Sequence, residues 1–242
     1  MSRSKAKLPQ KRTSLICLAF LAAFLLIAIL HSSFHSIDLA VNTWMSSIQS
    51  SAFTVFATGI DDYFDTNFLV LYSVVIAAAY FLKHRKHMGL LLVGAMAGAA
   101  LLVSLVKRIE LVPRPDNAIV LNNGYSFPSG HAVGIVVLGG VLAYFAWSYR
   151  KNTPIRAGIA GGYGLAVGVV SFDRVYLNTH WFSDVLGSFL LGAFWLLSVI
   201  LLYSWLERRV SFQGKRFNTV ANWLYVGAVV LAVLVIMSGA AV

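Results

Sequence analysis

The chain has 242 residues, of which 59% are hydrophobic and only 12% charged, with a mean hydropathy of +0.77. A soluble globular domain carries roughly twice that charged fraction, so the composition excludes one and points to a polytopic membrane protein. The formal net charge of +10 would suit nucleic acid, but most Lys and Arg fall in short segments between apolar runs. That is the positive-inside pattern beside an anionic leaflet, and no nucleic-acid partner is expected.

Seven apolar segments follow one another, roughly 14–30, 66–82, 88–106, 131–149, 157–172, 185–206 and 220–241, several near the lower length limit for a bilayer span. The first follows a basic tail with Lys5, Lys7, Lys11 and Arg12. Its apolar core is long for a signal peptide and no small-x-small site follows, so an uncleaved first span is expected. Cys17 lies in it as the only cysteine; a disulfide framework is excluded, and an inert thiol facing lipid or core is expected. The stretch 31–65 has no Lys or Arg and alternates apolar with polar residues in IDLAVNTWMSSIQ, which predicts a short interfacial helix anchored by Trp44. Its acids Asp61, Asp62 and Asp65 match no ligand spacing; they read as solvated loop residues, and no metal site is expected.

KHRKH at 83–87, Arg150–Lys151 with Arg156, and ERRVSFQGKR at 207–216 are basic and alternate with that loop. Alternation places them, with the N-terminus, in the cytoplasm and Val242 outside. GAMAGAA and AGIAGGYGLAVG in the third and fifth segments suit close helix packing. The expected fold is all-α, a polytopic transmembrane helix bundle of six core spans plus a seventh. Residues 1–13 form a basic cytoplasmic tail, 14–206 the membrane domain, and 207–242 a cytoplasmic loop with the extra span. Oligomeric state leaves no trace in the sequence.

Two outer loops break the charge pattern. KRIELVPRP supplies Lys107, Arg108 and Arg114, and RVYLNTHWFSD supplies Arg174, His180 and Asp184. Ionisable groups at a membrane boundary are costly and default to a functional reading. Between them lies YSFPSGHAVG, where Pro128 suits a first helical turn, Ser129 can cap it, and Gly130 clears the way to backbone amides. A helix N-terminus of that kind is an anion site, with His131 at its mouth. His180 and Asp184 are four apart and share a face on a helix; a carboxylate bonded to one imidazole nitrogen prepares the other as nucleophile or base. Lys107, Arg114, Arg174 and the amides at Ser129–Gly130 together match a tetrahedral phosphate. Two histidines supply the rest, one to attack phosphorus and one to protonate the leaving oxygen. The residues thus read as a phosphoryl-transfer site at the membrane surface.

K-x6-R-P at 107–115, PSGH at 128–131 and R-x5-H-x3-D at 174–184 resemble the three-part signature of the type 2 phosphatidic acid phosphatase superfamily. That group includes bacterial membrane lipid phosphatases and, on a related soluble fold, vanadium haloperoxidases. The resemblance covers about residues 60 to 206. It implies that His180 is the nucleophile, Asp184 its orienting partner and His131 the acid for the leaving group. It also implies that Lys107, Arg114, Ser129, Gly130 and Arg174 cradle the phosphate, and that no metal or cofactor is needed. One departure is Asp173, where the family commonly has Ser; an acid beside Arg174 could pair with it, orient it or weaken its pull on phosphate, but an outward-facing acid of little influence is the leading expectation. The seventh span is another, since many members have six.

The resulting expectation is a lipid phosphatase acting on the outer leaflet of the inner (plasma) membrane, with undecaprenyl pyrophosphate as the leading substrate. Phosphatidylglycerol phosphate, phosphatidic acid and lipid A phosphate follow, and a lipid phosphotransferase would use the same residues. An anion transporter would need ionisable groups deep in the spans, whose middles are nearly free of them. A haloperoxidase does not fit a chain this apolar, and a non-catalytic member would have lost a histidine. Tyr125, Phe127, Tyr176 and Trp181 are candidates for lipid contact or for an interfacial belt.

Overall fold

The computed structural model describes residues 10–149, 152–209, 212 and 214–237. Within them the regular elements are helices: α1 (Gln10–Ile29), a short 3-10 turn (His31–Phe34), α2 (His35–Ile48), α3 (Ser51–Tyr63), α4 (Thr66–Leu82), α5 (Lys86–Glu110), α6 (Gly130–Tyr149), α7 (Thr153–Tyr176), α8 (Phe182–Arg209) and α9 (Lys215–Met237). Each apolar segment of the sequence has become a helix, because a backbone without water must satisfy its own hydrogen bonds.

Five helices among the described residues (α1, α5, α6, α7 and α8) are long and apolar enough to cross a membrane. The segment 66–82 does not reach that length alone; α3 and α4 pass together as a pair bent by 52°. The seventh apolar segment forms the helix α9, and its last residues, 238–241, lie outside the described ones, as does the tail at 1–9.

α6 is the centre of the bundle and packs against α5, α7 and α8. It is apolar on all sides, as a surrounded helix must be, with Val133, Val137 and Val141 fully buried. α5 buries a stripe at helical spacing, Met88, Leu92, Ala95, Met96, Ala99 and Val103, and the next residue on that stripe is Lys107. The face that holds α5 in the core therefore delivers its lysine to the end of the bundle. α1 lies along α8, where the Cys17 thiol is buried and lies 3.3 Å from the Ser198 hydroxyl; of the two expected environments it has the core.

A helix is present where one was expected, as α2, with Trp44 57% exposed. A second helix, α3, follows it. The opposite face of α2 carries Asp38, Asn42 and Met45, all buried against the bundle.

Candidate active site

Three chain segments meet at the end of the bundle where α5 stops, α6 starts and α7 turns into α8. α7 ends at Tyr176, and Asn178 then takes a left-handed φ of 54°, which asparagine tolerates better than most residues. This doubles the chain back so that the amides of Thr179 and His180 both donate to the Arg174 carbonyl, each at 3.2 Å. His180 is thus placed in the turn ahead of α8, not on it.

Asp184 sits in the first turn of α8 and reaches back to accept from the Trp181 amide at 2.8 Å. That is a helix-capping bond by an acidic side chain. It leaves His180 Nδ1 3.4 Å from Asp184 Oδ2. The expected direct bond is supplemented by Ser126, whose hydroxyl donates to Asp184 Oδ2 and lies 3.2 Å from His180 Nδ1.

On the other nitrogen, Arg114 Nη1 lies 3.2 Å from His180 Nε2 and also donates to the Thr179 carbonyl at 2.8 Å. An arginine has donors and no acceptor, so Nε2 must present its lone pair and the proton must sit on Nδ1. His180 is 3% exposed. Burial, aided by Arg114 and Lys107, draws its pKa down to about 3 against the pull of Asp184, so the imidazole is neutral at pH 7. Burial and the nearby Arg174 lower Arg114 as well, but a guanidinium remains charged.

Ser129 caps α6: its hydroxyl accepts from the Ala132 amide at 3.4 Å, and its own amide donates to the Ser188 hydroxyl at 2.7 Å. The helix starts at Gly130, so Pro128 precedes it and does not occupy its first turn. His131 follows, 8% exposed. Lys107 Nζ donates to the Tyr125 carbonyl at 2.8 Å, and Arg114 Nε to the Gly124 carbonyl at 3.2 Å. These two bonds tie the cations to the loop that carries Ser126 and Ser129.

Arg174 is fully buried, and its guanidinium is paired with both Asp61 and Asp173. Two expectations are corrected here. Asp61 is not a solvated loop acid: it lies on α3, 7% exposed, bridging Arg174 to His131 Nε2 at 3.4 Å. Asp173 does not face outward: it is 2% exposed and curls back onto the arginine beside it. The aromatic expectation also changes, since Phe127 and Tyr176 are buried in the protein; of the four, Tyr125 is the most exposed, at 41%, with Trp181 part-buried.

The sequence reading missed a second layer contributed by residues 31–38. His31 Nε2 lies 3.1 Å from Asp184 Oδ1 and 3.1 Å from the Ser183 hydroxyl. Asp38 accepts from the Ser183 amide at 2.8 Å and from its hydroxyl at 2.6 Å. Burial opposes charge on His31, but the bond to Asp184 and the charges of Asp184 and Asp38 outweigh it, and its pKa is raised. Burial raises Asp38 against the bonds from Ser183. A histidine and an acid on the polar side of the first span were the only signals available. Among the described residues no group of three His, Cys, Asp or Glu side chains is arranged to hold a metal.

A helical membrane bundle that gathers two histidines, three basic side chains and a helix N-terminus at one end has the organisation of a membrane phosphatase. The chain belongs to the PAP2 superfamily, whose family model matches residues 88–209. It is 32% identical over 203 residues to phosphatidylglycerophosphatase B of Bacillus subtilis (strain 168), an alignment covering 81% of this chain and 97% of that protein. An uncharacterized protein of Mycoplasma capricolum is 33% identical over 92 residues, 37% of this chain and 23% of that one. The crystal structure of a transmembrane PAP2-type phosphatidylglycerolphosphate phosphatase from Bacillus subtilis superimposes with a TM-score of 0.72 at 28% identity. That superposition covers 81% of this chain and 98% of the other. The family match contains all three signature parts and leaves out His31, Asp38 and Asp61.

Proposed function

We propose that the protein is a metal-independent lipid phosphatase that works through a phosphohistidine at His180, in the inner (plasma) membrane with its site on the outer face. The observation that carries this reading is the placement of His180: buried, with Nδ1 beside Ser126 and Asp184 and Nε2 3.2 Å from Arg114 Nη1. In the first step Nε2 attacks phosphorus, a P–N bond forms, and the bond to the lipid oxygen breaks while His131 delivers a proton to that oxygen. The Nδ1 proton stays in the relay to Ser126 and Asp184, which stabilises the positive charge that His180 acquires. In the second step water attacks phosphorus, loses its proton to His131, and the P–N bond breaks to release inorganic phosphate. Lys107, Arg114, Arg174 and the α6 N-terminus at Ser129–Gly130 hold the phosphoryl oxygens, doing electrostatically what a metal does elsewhere.

The relatives favour phosphatidylglycerol phosphate as substrate over undecaprenyl pyrophosphate, the candidate suggested by an outward-facing site alone. Support comes from the likeness to the Bacillus phosphatidylglycerophosphatase along almost its whole length. The test is phosphate release by the detergent-purified protein from phosphatidylglycerol phosphate, undecaprenyl pyrophosphate and phosphatidic acid, with His180→Ala as control. Release that is fastest from the first and vanishes in the variant is expected. A His180→Ala protein keeping more than about a hundredth of the rate contradicts the nucleophile, because losing a nucleophile costs several orders of magnitude. Capture of the phosphate by an added lipid alcohol in place of water would make the enzyme a phosphotransferase.

A further inference from the structure

α1 lies against α8 in the opposite direction. Arg208 donates to the Gln10 side-chain oxygen at 2.9 Å, the Cys17 thiol meets the Ser198 hydroxyl, and just beyond the end of α1 His31 meets the start of α8. The family match begins at residue 88, so the signature does not account for this histidine. An ionisable ring at a membrane boundary is costly and defaults to a functional reading.

The neighbours of His31 fix where its proton is. Ser183 has one hydroxyl proton, and the ionised Asp38 carboxylate, which can only accept, takes it at 2.6 Å. The serine oxygen therefore offers His31 a lone pair at 3.1 Å. Asp184 Oδ1, also 3.1 Å away, belongs to a carboxylate and likewise only accepts. Both neighbours thus require a proton on His31 Nε2, which they share. The ring itself is seated edge-on against Phe127, with centroids 5.0 Å apart at 70°, and Phe127 follows Ser126 in the chain.

Asp184 is held from two sides. Oδ2 accepts from the Trp181 amide and the Ser126 hydroxyl and faces His180 Nδ1; Oδ1 faces His31. We propose that His31 is a positioning residue for the nucleophile: its Nε2–H fixes the Asp184 carboxylate so that Oδ2 stays turned toward Ser126 and His180, while Asp38 fixes the serine that shares this proton. The proposal rests on the reading of His180 as nucleophile. A carboxylate free to rotate would carry its charge away from Nδ1, and the imidazolium formed in the phosphohistidine would lose part of its support.

The test compares wild type with His31→Gln, His31→Phe and His31→Ala by steady-state phosphate release from phosphatidylglycerol phosphate, with His180→Ala as control for the nucleophile. Glutamine brings an N–H donor to about the place of Nε2; phenylalanine keeps a ring against Phe127 and has no donor. The expected result is a kcat lowered about tenfold in His31→Phe and His31→Ala, the low end of what a hydrogen bond to a charged group contributes. His31→Gln should stay within about threefold of wild type, and KM within a factor of about two in all three. A histidine needed only for packing would give the opposite order, phenylalanine tolerated and glutamine not, and that order overturns the proposal. A KM that rises as much as kcat falls also overturns it, because it puts His31 at the substrate. Full activity in all three variants does the same. Should His31→Phe fail to fold, equal kcat in His31→Gln and His31→Ala overturns the proposal by itself. Each of these results leaves the phosphatase standing. Activity kept in His180→Ala, or none in wild type, overturns that reading and the role of His31 with it.

Discussion

His180 owes its tautomer to two neighbours of opposite kind. Arg114 can only donate and takes the Nε2 lone pair; Ser126 accepts the Nδ1 proton and passes its own to Asp184. The serine matters because Nδ1 and the carboxylate are 3.4 Å apart, a poor distance for a direct bond. Ser126→Ala should therefore weaken the stabilisation of the charged imidazole without touching the phosphate cradle. We expect kcat to fall about tenfold, roughly the worth of one such bond, with KM within a factor of about two. Steady-state kinetics on the lipid substrate check this; a KM that rises as much as kcat falls would place Ser126 in substrate binding.

At the scale of elements, α8 and the loop before α6 are held in register by a glycine. A Cβ on Gly187 would stand 2.3 Å from the ring of Phe127, and Phe127 connects Ser126 to the Pro128–Ser129 cap. Gly187→Leu should force the ring aside, cost about 1–3 kcal/mol as other overpacked cores do, and move Ser126 with it. The expected outcome is a protein with a lowered thermal midpoint and a disproportionate loss of kcat. Gly94→Ala, at an exposed position of α5 with nothing near its Cβ, should lose neither. Retained full activity in Gly187→Leu would show that the loop and α8 are not coupled through this contact.

The same elements explain what the sequence made legible. The seven apolar segments and the three signature parts could be read because each is local: an apolar run, a cap, a short spacing. His31, Asp38 and Asp61 could not, since they reach the site from 153, 145 and 113 positions away in the chain and no periodicity records such contacts. α3 looked like loop because its acids, Asp61 and Asp62, resemble a solvated end, and Asp61 gains its meaning only when α3 bends beside Arg174. Asp173 was misjudged because adjacent helical residues point apart; the long arginine side chain closes that gap. Hence the family match covers the residues proposed to react and omits His31 and Asp61, which touch them, and Asp38, which holds the neighbouring Ser183.

At the scale of the whole molecule, the bundle has two chemically different ends. α5 runs from the basic segment 83–87 past Lys107 to Glu110, about 37 Å for its 25 residues at helical rise, long enough for its two ends to lie on opposite sides of a bilayer core. The charge pattern assigns the 83–87 end to the cytoplasm, which would leave the site outside, where a substrate must first be brought across the membrane. The chain carries its own clean background for testing this, because its only thiol, Cys17, is buried against α8. Leu121, 92% exposed on the loop at the site end, and Lys83, exposed at the other, are each replaced by cysteine and treated in intact cells with a membrane-impermeant maleimide. Leu121→Cys should label at once and Lys83→Cys only after permeabilisation. The reverse pattern would invert the molecule and turn its site to lipids of the inner leaflet. Labelling of wild type would mean that α1 leaves α8, and with it that the His31–Asp184 contact opens in the membrane.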